Sequence, residues 1–220
     1  MERGRIVKAL SGFYYVDSGN GTLTQCRARG RFRKERMSPL VGDWVRFSGS
    51  GAQGMVEEIE PRRNSFIRPA VSNLDALVVL ASGANPVTDP FLIDRVSALA
   101  AHHSCDFLLC INKADLNPEY AEKLQTLYEK AGYPCIAVSA IQEKGISQLK
   151  EALSGPVISF SGPSGVGKST LLNHILGREQ FAHQAVSQHT GRGRNTTRHS
   201  ELVRLMDSLY VMDTPGYTSL

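Results

Sequence analysis

Between Gly162 and Ser169 the chain reads GPSGVGKS, and every fixed position of the spacing G-x-x-x-x-G-K-[ST] is filled. That spacing suits the grip of a polyphosphate. Glycines let the backbone curl until successive N–H groups aim at one anion. A helix beginning near Lys168 adds its positive N-terminal end. In such a loop Gly162, Pro163, Ser164, Gly165, Val166, Gly167, Lys168, Ser169 and Thr170 surround the phosphates. Lys168 reaches the β- and γ-phosphates, and the Ser169 hydroxyl is placed to ligate Mg²⁺.

Two further clusters concern the base. Asn112-Lys113-Ala114-Asp115 directly follows an apolar run. The Asp115 carboxylate can accept both N1–H and N2–H of guanine, a pair adenine does not present. Asn112 can meet the O6/N7 edge, and the Lys113 stem can lie along the ring. Val138-Ser139-Ala140 ends the next apolar run, where a backbone amide of Ser139 or Ala140 can hold guanine O6. Near the end of the chain stands Asp213-Thr214-Pro215-Gly216. An Asp at a strand end can hold Mg²⁺, and the Gly216 N–H can sense the γ-phosphate. Residues 189–199, HTGRGRNTTRH, are polar and without period, as expected of a loop. Thr196 or Thr197 within it can complete the Mg²⁺ shell.

The elements that must position these groups are legible in outline. Residues 75–82 (DALVVLAS) and Phe107–Ile111 read as strands buried on both faces. Asp89-Pro90 and Asn117-Pro118 are helix starts, a cap followed by proline. The first helix is expected to run to about His103. Tyr120, Leu124, Leu127, Tyr128 and Ala131 fall on one face of the second, and Gly132 ends it. Cys135–Val138, Val157 to Phe160, Glu201–Leu205 and Leu209–Met212 are further strands, with a short helix at Ile146–Leu153. Strands alternating with helices call for a mostly parallel, six-stranded sheet.

The first 68 residues differ. Arg5–Leu10, Phe13–Asp17, Leu23–Arg29, Val41–Phe47 and Met55–Glu60 read as five strands between Gly/Ser turns. Five short strands suit a small all-β barrel of the oligonucleotide/oligosaccharide-binding (OB) type, with an SH3-like barrel as the alternative. This part carries 13 Lys+Arg against 7 Asp+Glu, a net +6 within a chain of net +4, which points to a polyanionic partner. Arg27, Arg29, Arg31, Arg33, Lys34 and Arg36 lie within ten residues, with Phe32 among them. Such a segment can neutralise phosphates and stack on a base, so these seven are the candidate RNA contacts. Trp44 reads as a barrel core residue. Pro61–Pro69 reads as a linker, dividing the chain into a barrel at 1–68 and an α/β domain at 69–220.

Composition is that of an ordinary soluble protein, 41% hydrophobic and 21% charged. No apolar run approaches the ~18 residues of a membrane span, and the N-terminus is no secretory signal, so a cytoplasmic location and no membrane partner are expected. Cys26, Cys105, Cys110 and Cys135 lack metal-ligand spacing and read as reduced, mostly buried thiols.

Together the P-loop, DTPG, NKAD and VSA resemble the guanine-nucleotide set of the TRAFAC GTPases. Their order is rotated: NKAD and VSA precede the P-loop, and DTPG comes last. A circularly permuted GTPase behind a basic barrel is similar to the ribosome small-subunit-dependent GTPase A family, over the whole chain. Residues 192–197, RGRNTT, resemble that family's G-R-H-T-T signature. The resemblance implies hydrolysis of GTP to GDP, with Mg²⁺, stimulated by the small ribosomal subunit and its rRNA during late maturation. A monomer is expected. It also implies a further helix and a Cys/His zinc domain after Leu220; no zinc is expected within these residues. Asn195 stands where the family has His, which points to slower turnover; His199, four residues on, reads as a solvated side chain, with substitution for that His as the alternative. Tyr217 stands where many GTPases place a water-orienting Gln. Slow intrinsic hydrolysis is therefore expected, by in-line attack of water, with the missing group supplied by the switch loop or the ribosome. Lys168, Thr196, Thr197 and Gly216 are the candidate catalytic residues, and Ser169, Thr197 and Asp213 the candidate metal ligands. Two other readings are a GTP-gated RNA-binding module with negligible hydrolysis and a P-loop small-molecule kinase; Asp115 argues against the kinase by favouring guanine.

Overall fold

The computed structural model describes residues 1–19, 21–34, 37–49, 53–67, 70–153, 155–177, 181, 200–206 and 209–213. The chain divides into two compact units. The first comprises Met1–Leu74 with residues 200–203 and 210–213; the second starts at Asp75 and takes in the rest.

The first unit is built from β1 (Glu2–Leu10), β2 (Phe13–Asp17), β3 (Leu23–Ala28), the short α1 (Gly30–Lys34), β4 (Trp44–Ser48) and β5 (Gly54–Ile59). Antiparallel pairs β1–β2, β2–β3, β4–β5 and β1–β4, with a parallel β3–β5 pair, close the five strands into a ring. Closure leaves no free sheet edge, which solves the pairing problem of short strands. Alternation selects the interior: Val45 and Phe47 of β4 point in while Arg46 points out. Ile6, Val16, Cys26 and Val56 complete a fully buried centre.

Two expectations for this unit are corrected. Trp44 is not a core residue. It is half-buried, with the guanidinium groups of Arg3 and Arg5 at 4.0 and 4.5 Å from its ring centroid. The ring's negative face offers these cations an attraction that the apolar interior lacks. Nor is Pro61–Pro69 a linker. Asn64 and Phe66 are buried, and β6 (Ser65–Phe66) pairs with β7 (Val71–Ser72). Arg62 meets the buried Asp43 through both guanidinium arms, at 2.7 and 2.8 Å, and the Ser72 hydroxyl donates to the same carboxylate at 2.6 Å. A buried carboxylate needs such partners, and Arg62 of this stretch supplies the cationic one.

The second unit opens with β8 (Ala76–Ser82), buried along its whole length, then α2 (Pro90–His102), β9 (Asp106–Asn112), α3 (Pro118–Lys130), β10 (Cys135–Ala137), α4 (Ile146–Ala152), β11 (Val157–Ser161) and α5 (Lys168–Leu176). Its strands are parallel, in the order β10-β9-β8-β11. The starts of three strands are knitted by Asp75. Its N–H donates to Val157 O at 2.7 Å, its carboxylate accepts from Val157 N at 2.8 Å, and its carbonyl accepts from Asp106 N at 2.9 Å. The Asp89 carboxylate caps α2 by accepting from Phe91 N at 3.0 Å, and Asn117 caps α3 in the same way from Tyr120 N at 3.2 Å. In α3 the buried residues are Ala121, Leu124 and Tyr128; Leu127, expected on that face, is largely exposed. Tyr128 buries its ring because its hydroxyl finds Asp94 at 2.6 Å.

The two last strands are β12 (Ser200–Met206) and β13 (Leu209–Asp213). Residues 200 and 201 of β12 pair antiparallel with β1 of the barrel, and Lys8 meets Glu201 at 2.9 Å. Likewise Tyr210 donates to Asp17 of β2 at 2.9 Å. All four cysteines are free and buried, as expected. Burial pushes the Cys26 and Cys135 thiols up to about 11, so both stay protonated and inert at neutral pH. No helix among the described residues is long and apolar enough to cross a membrane.

Candidate functional site

The parallel strands of the second unit end on one side in three turns: residues 112–115 after β9, 138–140 after β10, and 162–167 after β11. Ligands of open parallel sheets collect at such carboxyl ends. The loop after β11 has the expected form. Gly162 lies so close to Leu80 that a Cβ would come within 2.4 Å of its carbonyl oxygen. Gly167, with φ +99°, introduces α5, and there a Cβ would meet the Asn112 amide nitrogen at 2.4 Å. Neither place admits another residue without a shift. Val166 is buried, Ser164 and Gly165 are exposed, and Pro163, Lys168, Ser169 and Thr170 are half-buried at the loop and the start of α5.

Asn112 holds the three turns together. Its Nδ2 donates to Val166 O at 2.9 Å and its Oδ1 accepts from Ala140 N at 3.2 Å. The residue is 2% exposed. Each end of the amide thus has a protein partner. The Ala140 N–H is likewise engaged on Asn112, and the Ser139 N–H donates to Lys144 O at 3.0 Å, so neither amide is directed at a base. Ala114 N–H adds a second tie, to Val138 O at 3.1 Å. Lys113 sits at φ +57°, and its ammonium donates to Gly165 O at 2.9 Å and to Asn85 O.

These ties leave a small pocket of about 70 Å³ lined by Asn112, Lys113, Asp115, Leu116, Ser139, Ala140, Ile141, Gly167 and Thr170. Asp115 is half-buried within it. Leu116 and Ile141, both largely exposed, were not singled out in the sequence, although each directly follows a motif. Apolar side chains flanking a carboxylate suit a flat ring with paired N–H donors. Asp213 ends β13, but its side chain lies outside the described residues, as do Thr196, Thr197 and Gly216. Among the described residues no group of three or more His, Cys, Asp or Glu is placed to hold a metal ion.

The basic stretch of the barrel runs from β3 into α1. Arg27 ends in β3, its guanidinium 4.8 Å from the Phe13 ring, and residues 30–34 form α1. Phe32 is 4% exposed, so it belongs to the interior and is not a base-stacking platform; α1 turns this ring onto the barrel. Arg29 ion-pairs with Glu57, and Arg31 donates to the Glu57 carbonyl. The Ser48 hydroxyl, at 2.7 Å, and then the Arg29 charge hold the Glu57 carboxyl below the usual carboxylate range, against burial. Lys34 is exposed, while Arg36 and the side chain of Arg33 lie outside the described residues.

A family model described as RsgA GTPase matches residues 59–220, and one described as RsgA N-terminal domain matches 3–56. The small ribosomal subunit biogenesis GTPase RsgA of Alkaliphilus metalliredigens is 41% identical over 224 residues, covering all of this chain and 76% of its own. Its Bacillus cereus namesake is 41% identical over 225 residues, with the same coverage. Among solved structures, YjeQ from Thermotoga maritima matches with TM-score 0.79 and 32% identity over 98% of this chain and 75% of its own. YloQ, titled a circularly permuted GTPase, matches with TM-score 0.77 and 32% identity over all of this chain and 73% of its own. Motif order, OB-type ring and these relatives agree: the chain belongs to the RsgA GTPase family and is a circularly permuted GTPase.

Proposed function

We propose that this GTPase acts as a nucleotide switch in maturation of the small ribosomal subunit, the role named in its relatives. The observation that carries the reading is Asn112, which gathers three separate turns and leaves Asp115 in a pocket beside the P-loop. Asp115 takes the guanine N1–H and N2–H, between Leu116 and Ile141. Residues 162–170 wrap the phosphates, and Lys168 neutralises charge on the transferring phosphoryl group. Ser169, half-buried in the first turn of α5, supplies a hard oxygen suited to Mg²⁺, with Thr197 and Asp213 as its partners. The metal would add positive charge at the β- and γ-oxygens. Thr196, Thr197 and Gly216 complete the γ-phosphate side.

Residues 1–68 serve as the RNA-binding barrel and 69–220 as the GTPase domain. Arg27, Arg29, Arg31, Arg33, Lys34 and Arg36 are the rRNA contacts, and Phe32 is left out because it is buried. The protein works as a cytoplasmic monomer.

The test is GTP hydrolysis by the chain alone and with purified small subunits. The reading expects slow basal turnover and stimulation by at least roughly a hundredfold, as when a missing group is supplied in trans. An unchanged rate in the presence of subunits, with GTP tightly bound, would replace the switch by a binding module.

A further inference from the structure

The loop Gly83–Thr88 belongs to none of the nucleotide motifs, yet it lies against the P-loop. Its base is closed on itself. The Thr88 N–H donates to Ser82 O at 2.8 Å, and the Ser82 N–H donates to Thr88 Oγ1 at 2.9 Å. Thr88 is fully buried. Two side chains of α3 brace the loop. Asn117 Nδ2 donates to Gly83 O at 3.2 Å, and the Tyr120 hydroxyl donates to Thr88 O at 3.2 Å. The Tyr120 ring packs so close to Gly83 that a Cβ there would come within 2.4 Å of it.

From the NKAD turn, the Lys113 ammonium donates to Asn85 O in this loop and to Gly165 O in the P-loop. A Cβ on Gly165 would lie 3.6 Å from Pro86, in ordinary contact. One ammonium that holds two carbonyls fixes their separation. Gly165, at φ +79°, gives its own carbonyl to Lys113, while the neighbouring Val166 is held by Asn112 and by its N–H on Pro163 O. If the Asn85 carbonyl shifts, Lys113 must release one partner or drag the other.

We propose that Asn117 and Tyr120 are positioning residues for the phosphate loop, acting through Gly83–Thr88 and Lys113. The inference rests on the reading of residues 162–170 as the phosphate site. Asn117→Asp keeps the oxygen that caps α3 and replaces the donor to Gly83 O by an anionic acceptor. Tyr120→Phe removes only the hydroxyl. Each is compared with the parent for its GDP dissociation constant, alone and in a Lys113→Ala background.

Asn117→Asp should weaken GDP about fivefold and Tyr120→Phe about threefold, the size of one lost hydrogen bond. In the Lys113→Ala background neither should weaken it further, because residues acting along one path are not additive. A purely structural role would instead lower thermal stability and multiply with Lys113→Ala. Lys168→Ala is the control on the underlying reading. If it leaves GDP binding unchanged, the phosphate-site assignment fails and this inference with it. If it weakens GDP but Asn117→Asp changes affinity less than threefold, or the paired effects multiply, the positioning role is overturned while the phosphate site stands.

Discussion

At the P-loop corner, the tie that joins three turns is a neutral amide: Asn112 gives one hydrogen bond to Val166 O and takes one from Ala140 N. In the barrel, the tie that joins the 61–74 arm to the ring is ionic: Asp43, with no exposed surface, takes hydrogen bonds from Arg62, Ser72 and the Leu40 N–H. The difference follows from what each place must do. A neutral anchor adds no charge of its own beside the P-loop. An ionic anchor in the barrel gives directional strength, but removing one partner strands the other.

The largest effect is expected at the ionic tie. Asp43→Ala leaves Arg62 and two neutral donors without their acceptor, and should cost about 3 kcal/mol in urea unfolding. Arg62→Ala should cost less, because Arg62 is 23% exposed and water can replace it. Equal losses would break the comparison. At the neutral tie, Asn112→Ala should cost about 2 kcal/mol and weaken GTP binding as well, since it releases all three turns. Loss of stability with GTP affinity intact would show that the amide does not organise the site.

The smallest effect concerns pH. The Ser48 hydroxyl and Arg29 hold Glu57 low in the folded barrel, and Arg3 does the same for Glu60 through hydrogen bonds at 2.9 Å. A carboxyl held low when folded adds stability that is complete above its unfolded value, and is lost as pH falls through its folded value. Barrel stability should thus be level above about pH 5 and fall below about pH 4. Glu57→Gln should flatten that acid limb, read as urea midpoints across the range. An unchanged slope would remove Glu57 from the account.

The two regions also differ in how far they could be read in advance. GPSGVGKS and NKAD were legible because their spacing encodes backbone geometry, which travels with the motif. Strand–turn–helix order followed from apolar runs and from the capped prolines at Pro90 and Pro118. The inward turn of Asn112 was not legible, because its partners Val166 and Ala140 come from other strand ends. A charge cluster encodes only composition: nothing in residues 27–36 reveals that Glu57 awaits Arg29 or that Phe32 faces the interior. Pro61–Pro69 read as a linker for the same reason, since Asp43 lies in a separate segment. The pairing of residues 200–201 with β1 depends on contacts across most of the chain.

The central claim is that Asp115 reads guanine in the pocket that Asn112 assembles. Its most direct test is the affinity of Asp115→Asn for GTP and for XTP, which carries an oxygen where guanine has its amino group. The account predicts that GTP binding falls by roughly a hundredfold or more while XTP binding rises, because the amide can now donate where the carboxylate only accepted. A variant that still prefers GTP would contradict it.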